Sequence, residues 1–298
     1  MESWLCHPRH VAVISALAKR LRATKYRFRR LNPVIFLCGG SNSQPRDRIR
    51  DYLLSKHPHL LIFYAETVWE QIAARADRSA LQMEAELGAL ADLVLIVVES
   101  PGTFAELGAF ALSDSLRPKL LPVLDRRYKT ANSFISTGPI RWIDQDSVFR
   151  PSIWTHQEMI LDAAREIDER LARIPKGKAT AVTDLGEDPR HLLFFLCDLV
   201  AIVQPATRHA LASLVEQILG PEKAQDVDRL LSLARAMGLV TVSPLGGADE
   251  FYLSAGEGLV RPYHRSHFVD LPSERAKYLA AIQLIPAARD ALAAASKL

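Results

Sequence analysis

The residues best suited to chemistry lie in Glu99-Ser-Pro-Gly-Thr-Phe-Ala-Glu-Leu-Gly-Ala-Phe110, which follows the apolar run Leu93 to Val98. Six aliphatic residues without polar alternation read as a strand buried on both faces, the pattern of a parallel sheet covered by helices. Pro101 and Gly102 punctuate the chain, and Phe104, Leu107, Phe110 and Ala111 recur as a helical stripe. Glu106 then has two readings. With Thr103 as N-cap, Thr103-x-x-Glu106 is a capping box that puts Glu106 in the first turn and spends its carboxylate on a backbone N–H. Alternatively, ligands of open α/β sheets bind beyond the carboxyl ends of the strands, beside helix N-termini. A carboxylate there can stabilise or capture the oxocarbenium-like sugar formed when an N-glycosidic bond breaks.

Other elements must position that group. Val34 to Cys38 reads as a first strand feeding Gly39-Gly40, whose backbone can approach phosphates, with Arg46 to pair with them; Pro45 starts the next helix. No GxGxxG or Walker pattern accompanies them, so a plain strand-to-helix turn is the competing reading. Leu60 to Ala65 gives a second strand, and Tyr64 at its end is suited to stacking on a base or ribose, or simply to packing. In a helix from about 79 to 91, Glu84 shares the inward stripe with Leu81, Gly88 and Ala91. Asp92 reads as a helix-to-strand turn residue at the amino end of the central strand. Glu99 and Ser100 lie at its other end, and with Gly102 and Thr103 they complete the candidate ligand contacts. Lys119 to Leu124 is a fourth strand, and a helix capped by Thr155 with Glu158 runs to about Ile174.

These residues carry a resemblance. Ser100-Pro-Gly-Thr-Phe-Ala-Glu106-Leu-Gly resembles the nucleophile motif of the nucleoside 2-deoxyribosyltransferase-like superfamily. Val98 to Ala111, together with Phe36-Leu-Cys-Gly-Gly40 and Phe134-Ile-Ser-Thr-Gly-Pro-Ile-Arg-Trp-Ile143, resembles retron-associated effectors, which pair this domain with a C-terminal winged helix. The resemblance implies Glu106 as nucleophile and an acidic residue in the region of Glu84 that helps hold the base. It also implies a toxin in antiphage defence, kept inactive by a reverse transcriptase and its multicopy single-stranded DNA–RNA. Some relatives carry an aspartate at the Ser100 position to serve the leaving base, and this chain departs from them. Nicotinamide in NAD is already cationic and leaves neutral, so one carboxylate suffices there. NAD is therefore the expected substrate, with no cofactor and no metal. Gly-Thr-x-x-Glu also occurs in phosphoribohydrolases of cytokinin-activating type, which leaves a nucleoside monophosphate as an alternative substrate.

Composition sets the frame. The 298 residues are 49% hydrophobic and 24% charged, enough for two soluble cores, and no segment approaches the roughly 20 apolar residues that span a bilayer. The N-terminus lacks the features of a signal peptide, so a cytoplasmic location without membrane attachment is expected. Cys6, Cys38 and Cys197 are scattered, which fits neither a disulfide framework nor a zinc site. Net charge is only +3, yet eight Lys or Arg and no acid fall between Arg9 and Arg30, with Val13, Leu17 and Leu21 at helical spacing. That segment reads as a basic amphipathic helix, suited to nucleic acid or merely solvated.

The expected architecture is α/β. A Rossmann-like parallel sheet occupies residues 1–175, and a smaller winged-helix domain with a C-terminal helix occupies 186–298, after a linker rich in Pro, Gly and charge. Three helical patterns and a hairpin, Val240 to Ser243 and Phe251 to Leu253, support the second domain. Its third helix carries Asp226, Asp228, Arg229 and Arg235, a weak surface for reading DNA, so protein contact or homo-oligomerisation is expected. The rival from another class is a nucleotide-sensing, DNA-binding regulator in which Glu106 only caps a helix.

Overall fold

His10, Ile14, Leu17, Ala18 and Leu21 recur on one buried face, and helix α1 spans Pro8–Ala23 accordingly. The basic stretch does not continue as helix: Arg27–Arg30 form strand β1. The computed structural model describes residues 4–23, 27–30, 33–58, 60–64, 86–175, 180–181, 184–185, 189–243, 250–255, 263–265 and 270–296. The chain divides into a sheet unit, Arg30–Gly177, and a helical unit, in which Met1–Arg29 joins Lys178–Leu259 and Tyr263–Leu298. The grouping of residues 1–175 is thereby corrected, because α1 is held by the C-terminal part of the chain. Arg20 pairs with Glu274 at 2.7 Å, and His10 Nε2 lies 3.2 Å from the Tyr278 hydroxyl. Among the described residues no helix is long and apolar enough to cross a membrane.

The sheet unit is a doubly wound α/β layer structure. Strands β2 (Val34–Cys38), β3 (Leu61–Tyr64), β4 (Leu93–Val97), β5 (Leu120–Asp125) and β6 (Ile153–Thr155) are all parallel, in the order β3-β2-β4-β5-β6. On one face Ile35, Leu37, Leu95, Val97, Leu121 and Val123 pack with Ile49 and Leu53 of α2 (Gln44–Lys56) and with Ala163 and Ile167 of a C-terminal helix. On the other, Phe36 stacks on Phe63 at 5.1 Å and meets Phe110 of α3 (Pro101–Leu112) at 6.4 Å. Helices on both faces explain why β2 and β4 lack alternation: every residue of each is buried. Asp92 ties the amino ends of those strands, its Oδ2 accepting from the Val34 N–H at 3.0 Å, as a turn residue there should.

After β5, a π-turn at Ser136–Ile140 leads into α4 (Arg141–Asp146). Strand β6 was not expected. Pairing of Leu124 with Trp154 and Asp125 with Thr155 takes Thr155 into the sheet. Its hydroxyl donates to the Met159 carbonyl at 3.2 Å instead of capping a helix, and α5 starts only at Ile160, running to Leu171. Three residues of mixed polarity give too short a run for a period to show.

In the helical unit, β7 (Thr180–Ala181), within the expected linker, pairs antiparallel with β1. Helix α6 (Pro189–Val203) is buried almost all round. There follow β8 (Ala206–Thr207), α7 (Arg208–Leu219), a single turn α8 (Pro221–Ala224), α9 (Val227–Ala236), β9 (Val240–Ser243) and β10 (Phe251–Ser254). Thr207 caps α7 by accepting from the Ala210 N–H, and Gly238, at φ 68°, ends the α9 segment. Strands pair antiparallel in the order β8-β10-β9. After β11 (Tyr263–Arg265), the expected single C-terminal helix is two, α10 (Leu271–Ile282) and α11 (Pro286–Ala295), because Pro286 cannot continue the first.

Candidate active site

Two strand-to-helix turns at the carboxyl end of the sheet hold nearly all the candidate residues. In the first, β2 runs into Gly39-Gly40, Ser43 caps α2 by accepting from the Arg46 N–H at 3.1 Å, and Pro45 occupies the first turn. Arg46 is 5% exposed, and its guanidinium carbon lies 4.2 Å from the centroid of the Tyr64 ring. A Cβ on Gly39 would come within 2.7 Å of Arg46 Cδ, so glycine is what lets the arginine lie against the turn. The Tyr64 hydroxyl donates to Asp47 Oδ1 at 2.9 Å; burial first, then that bond, push the phenol up to about 12. Tyr64, expected to stack on a ligand, already carries Arg46 on its ring.

In the second turn, β4 runs through Glu99 into α3, whose N-cap is Ser100 with Pro101 in the first turn. The capping box is formed by Ser100 and Thr103, not by Thr103 and Glu106. Thr103 Oγ1 accepts from the Glu99 and Ser100 N–H groups at 3.0 and 2.9 Å and donates to the Ser100 carbonyl at 2.8 Å. At 1% exposure Thr103 is a lock for the turn. The helix starts three residues earlier than the Thr103 cap implied. Glu106 therefore falls in the second turn, half-buried beside the stripe Thr103, Leu107 and Phe110, with Oε2 shielded from solvent. Phe104, read as part of that stripe, is exposed. Gly102 has room for a side chain, the nearest atom to a Cβ being Ser100 Oγ at 3.8 Å.

The two turns flank the point where strand order reverses, between β2 and β4, the usual ligand crevice of such sheets. They are joined directly: the Gly40 N–H donates to Glu99 Oε1 at 2.9 Å. The structure thus brings Gly39, Gly40, Arg46 and Tyr64 together with Glu99 and Ser100, and places Glu106 one turn further along α3. Glu84 lies outside the described residues. Beside the turns is a depression lined by Val98, Glu99, Leu124, Asp125 and Thr155, of about 30 Å³. That is the room of a single water, and Glu106 is not in its lining.

Sequence reasoning missed Asp47, Arg50 and Asp125. Arg50 lies 5.6 Å from the Tyr64 ring, and its spacing of four from Arg46 was the signal that both reach one ring. Asp125, at the end of β5, is held below the usual carboxylate range by hydrogen bonds from Arg127. Arg141 and Trp142 support from outside: both are exposed, and Trp142 lies under Arg117, which pairs with Asp114 at 2.7 Å and Asp146 at 2.6 Å. Among the described residues no three His, Cys, Asp or Glu side chains converge as metal ligands.

Two Escherichia coli proteins are similar to part of this chain. One, named as a proposed ribosyltransferase/DNA-binding protein of retron Ec86, is 35% identical over 151 residues, 48% of this chain and 49% of the relative. The other, named in the same terms for retron Ec73, is 37% identical over 121 residues, 38% of each. The chain therefore spans about half or less of the length of these relatives. The model of the STM3845 retron effector protein family matches residues 42–242, roughly two thirds of the sequence, and takes in Arg46, Tyr64, Glu99 and Glu106. On that match, the chain belongs to the STM3845 retron effector family.

Proposed function

We propose that this effector breaks the N-glycosidic bond of a nucleotide, with NAD as substrate and Glu106 as the group that meets the sugar. The observation that carries the reading is the closure of the α3 cap by Ser100 and Thr103, which removes capping as the reason for an acid at position 106. The glycosidic electron pair leaves with nicotinamide, turning the pyridinium neutral, while the Glu106 carboxylate stabilises C1′ or bonds to it. Water then releases ADP-ribose. Gly39, Gly40 and Arg46 would take the phosphates, where a buried guanidinium offers paired donors to oxyanions. The Ser100 departure fits a leaving group that needs no proton. The names of the two relatives, which include ribosyltransferase, support glycosyl chemistry.

The proposed biological setting, which membership of a retron effector family supports, is that of a toxin held inactive by its retron's reverse transcriptase and multicopy DNA–RNA until infection. In the helical unit, the order helix, strand, helix, single helical turn, helix, strand, strand with pairing β8-β10-β9 supports a winged helix. The acids of its third helical segment are spent on cations, Asp226 on Arg229 at 2.9 Å and Asp228 on Arg208 at 3.1 Å. Such a surface suits protein contact or self-association better than base reading.

Incubating the purified protein with NAD, nucleosides and nucleoside monophosphates, then chromatographing the released bases, tests the proposal. Nicotinamide release is expected, and Glu106→Gln should lower it by roughly 10³-fold or more at unchanged melting temperature. Release at the original rate in that variant removes Glu106 from the mechanism. Base release from monophosphates alone would move the substrate to the phosphoribohydrolase class.

A further inference from the structure

One cation in the helical unit has no part in that chemistry. Between the β9–β10 hairpin and helices α10 and α11 lies a cavity of about 700 Å³, within the size range of small-molecule sites. Leu253, Leu279 and Leu292 supply apolar wall, while Gln204, Gln283 and Arg275 supply polar groups. Arg275 is held rigidly: Nη1 donates to the carbonyls of Ile202, at 3.0 Å, and Gln204, and the guanidinium carbon lies 5.8 Å from the Tyr278 centroid. Its neighbours are two carbonyl dipoles and a ring, and among the described residues no carboxylate pairs with it.

The acid next to it on α10 is already committed. Glu274 takes Arg20 and Lys277, each at 2.7 Å. Burial pulls the Arg275 guanidinium below its usual range, and what opposes that pull is the neighbouring Tyr278, not a carboxylate. A desolvated cation without an anion is costly, and an arrangement that retains one at a cavity wall gains most when an anion arrives. With Nη1 occupied by carbonyls, the Nε–Nη2 edge remains, the fork that matches two oxygens of a carboxylate or phosphate.

We propose that this cavity binds a small organic anion, its carboxylate or phosphate clamped by Arg275 and its apolar body lying against Leu253, Leu279 and Leu292. The site belongs wholly to the helical unit and is independent of Glu106. A ligand there would bridge the hairpin to the two C-terminal helices.

The test is calorimetric titration of the full chain with 4-phenylbutyrate, phenyl phosphate and the neutral 4-phenylbutanol. One of the two anions should saturate a single site per chain, and which one binds tighter assigns the headgroup. The alcohol should bind roughly tenfold more weakly or worse, as should the anion to Arg275→Met. Ala293→Trp fills the cavity from α11 without touching the carbonyls that hold Arg275, and it should abolish binding even if Arg275→Met fails to fold. Absence of saturable binding by either anion, equal binding of the alcohol, or undiminished binding to folded Ala293→Trp would each overturn the proposal. Base release, measured separately, reports on Glu106 alone.

Discussion

The turns after β2 and β4 are built alike and loaded oppositely. Each has a serine N-cap, Ser43 or Ser100, and a proline in the first turn, Pro45 or Pro101. The first then places a buried arginine at the N-terminus of α2; the second places glutamates on either side of its cap. A cation at a helix N-terminus opposes the helix dipole, at a cost of about 0.3–1 kcal/mol, whereas an acid there is favoured. Arg46 is nevertheless fixed by Gly39 beneath it and the Tyr64 ring beside it. The difference teaches that one backbone device serves two purposes: α2 holds a buried positive charge at the crevice with Asp47 beside it in the same turn, whereas α3 has no acid in its first turn and carries its glutamates before the cap and one turn later. On the proposed reading the first turn meets phosphate and the second meets sugar.

That contrast can be broken from either side. The largest loss is expected at the acidic turn, since on the proposed reading Glu106→Gln removes the reacting group, whereas Arg46→Met removes only binding. For Arg46→Met, kcat/KM on NAD should fall roughly 10- to 100-fold, mostly through KM, with a smaller effect on nucleosides that lack phosphate. Equal losses on both substrate classes would mean that Arg46 supports the fold and does not meet phosphate. Next is Thr103→Val, which takes the acceptor from two N–H groups in the acidic turn. It should cost about 1–3 kcal/mol in urea unfolding and lower activity through the position of Glu106. A variant as stable as the wild type would show that the lock lies elsewhere.

Much of this was legible in the sequence, for reasons that differ by residue. Unbroken apolar runs at Val34–Cys38 and Leu93–Val97 fit strands buried between two helical layers, so the parallel sheet was readable from them. The cap of α3 was misread because Ser100 and Thr103 are both good N-caps three residues apart, and only the extended backbone at Ser100 (φ −139°, ψ 160°) decides between them. β6 was hidden because its pairing with β5, not its own pattern, makes it a strand. The membership of α1 was hidden because partners such as Tyr278 and Glu274 lie more than 250 residues away, beyond any local signal. Arg275 was equally invisible: its significance lies in having no carboxylate partner among the described residues, which only packing reveals.

The smallest expected effect concerns the ring that holds the cationic turn. Tyr64→Phe keeps the aromatic face for Arg46 but deletes the bond to Asp47, and should cost about 0.5–1.5 kcal/mol near neutral pH. The sign of its pH dependence follows from the raised phenol. In the unfolded chain the tyrosine ionises near its ordinary value of 10, and in the folded chain near 12. Between those values the folded state holds the extra proton, so stability contributed by Tyr64 is complete below pH 10 and drains away as pH rises towards 12. The gap between wild type and Tyr64→Phe in urea midpoint should therefore be widest at pH 8 and narrow steadily above pH 10. A gap constant to pH 11.5 would mean that the phenol titrates alike in both states. The Asp47 bond would then add nothing to the cationic turn, which the Ser43 cap and the ring under Arg46 would hold, as Ser100 and Thr103 hold the acidic turn.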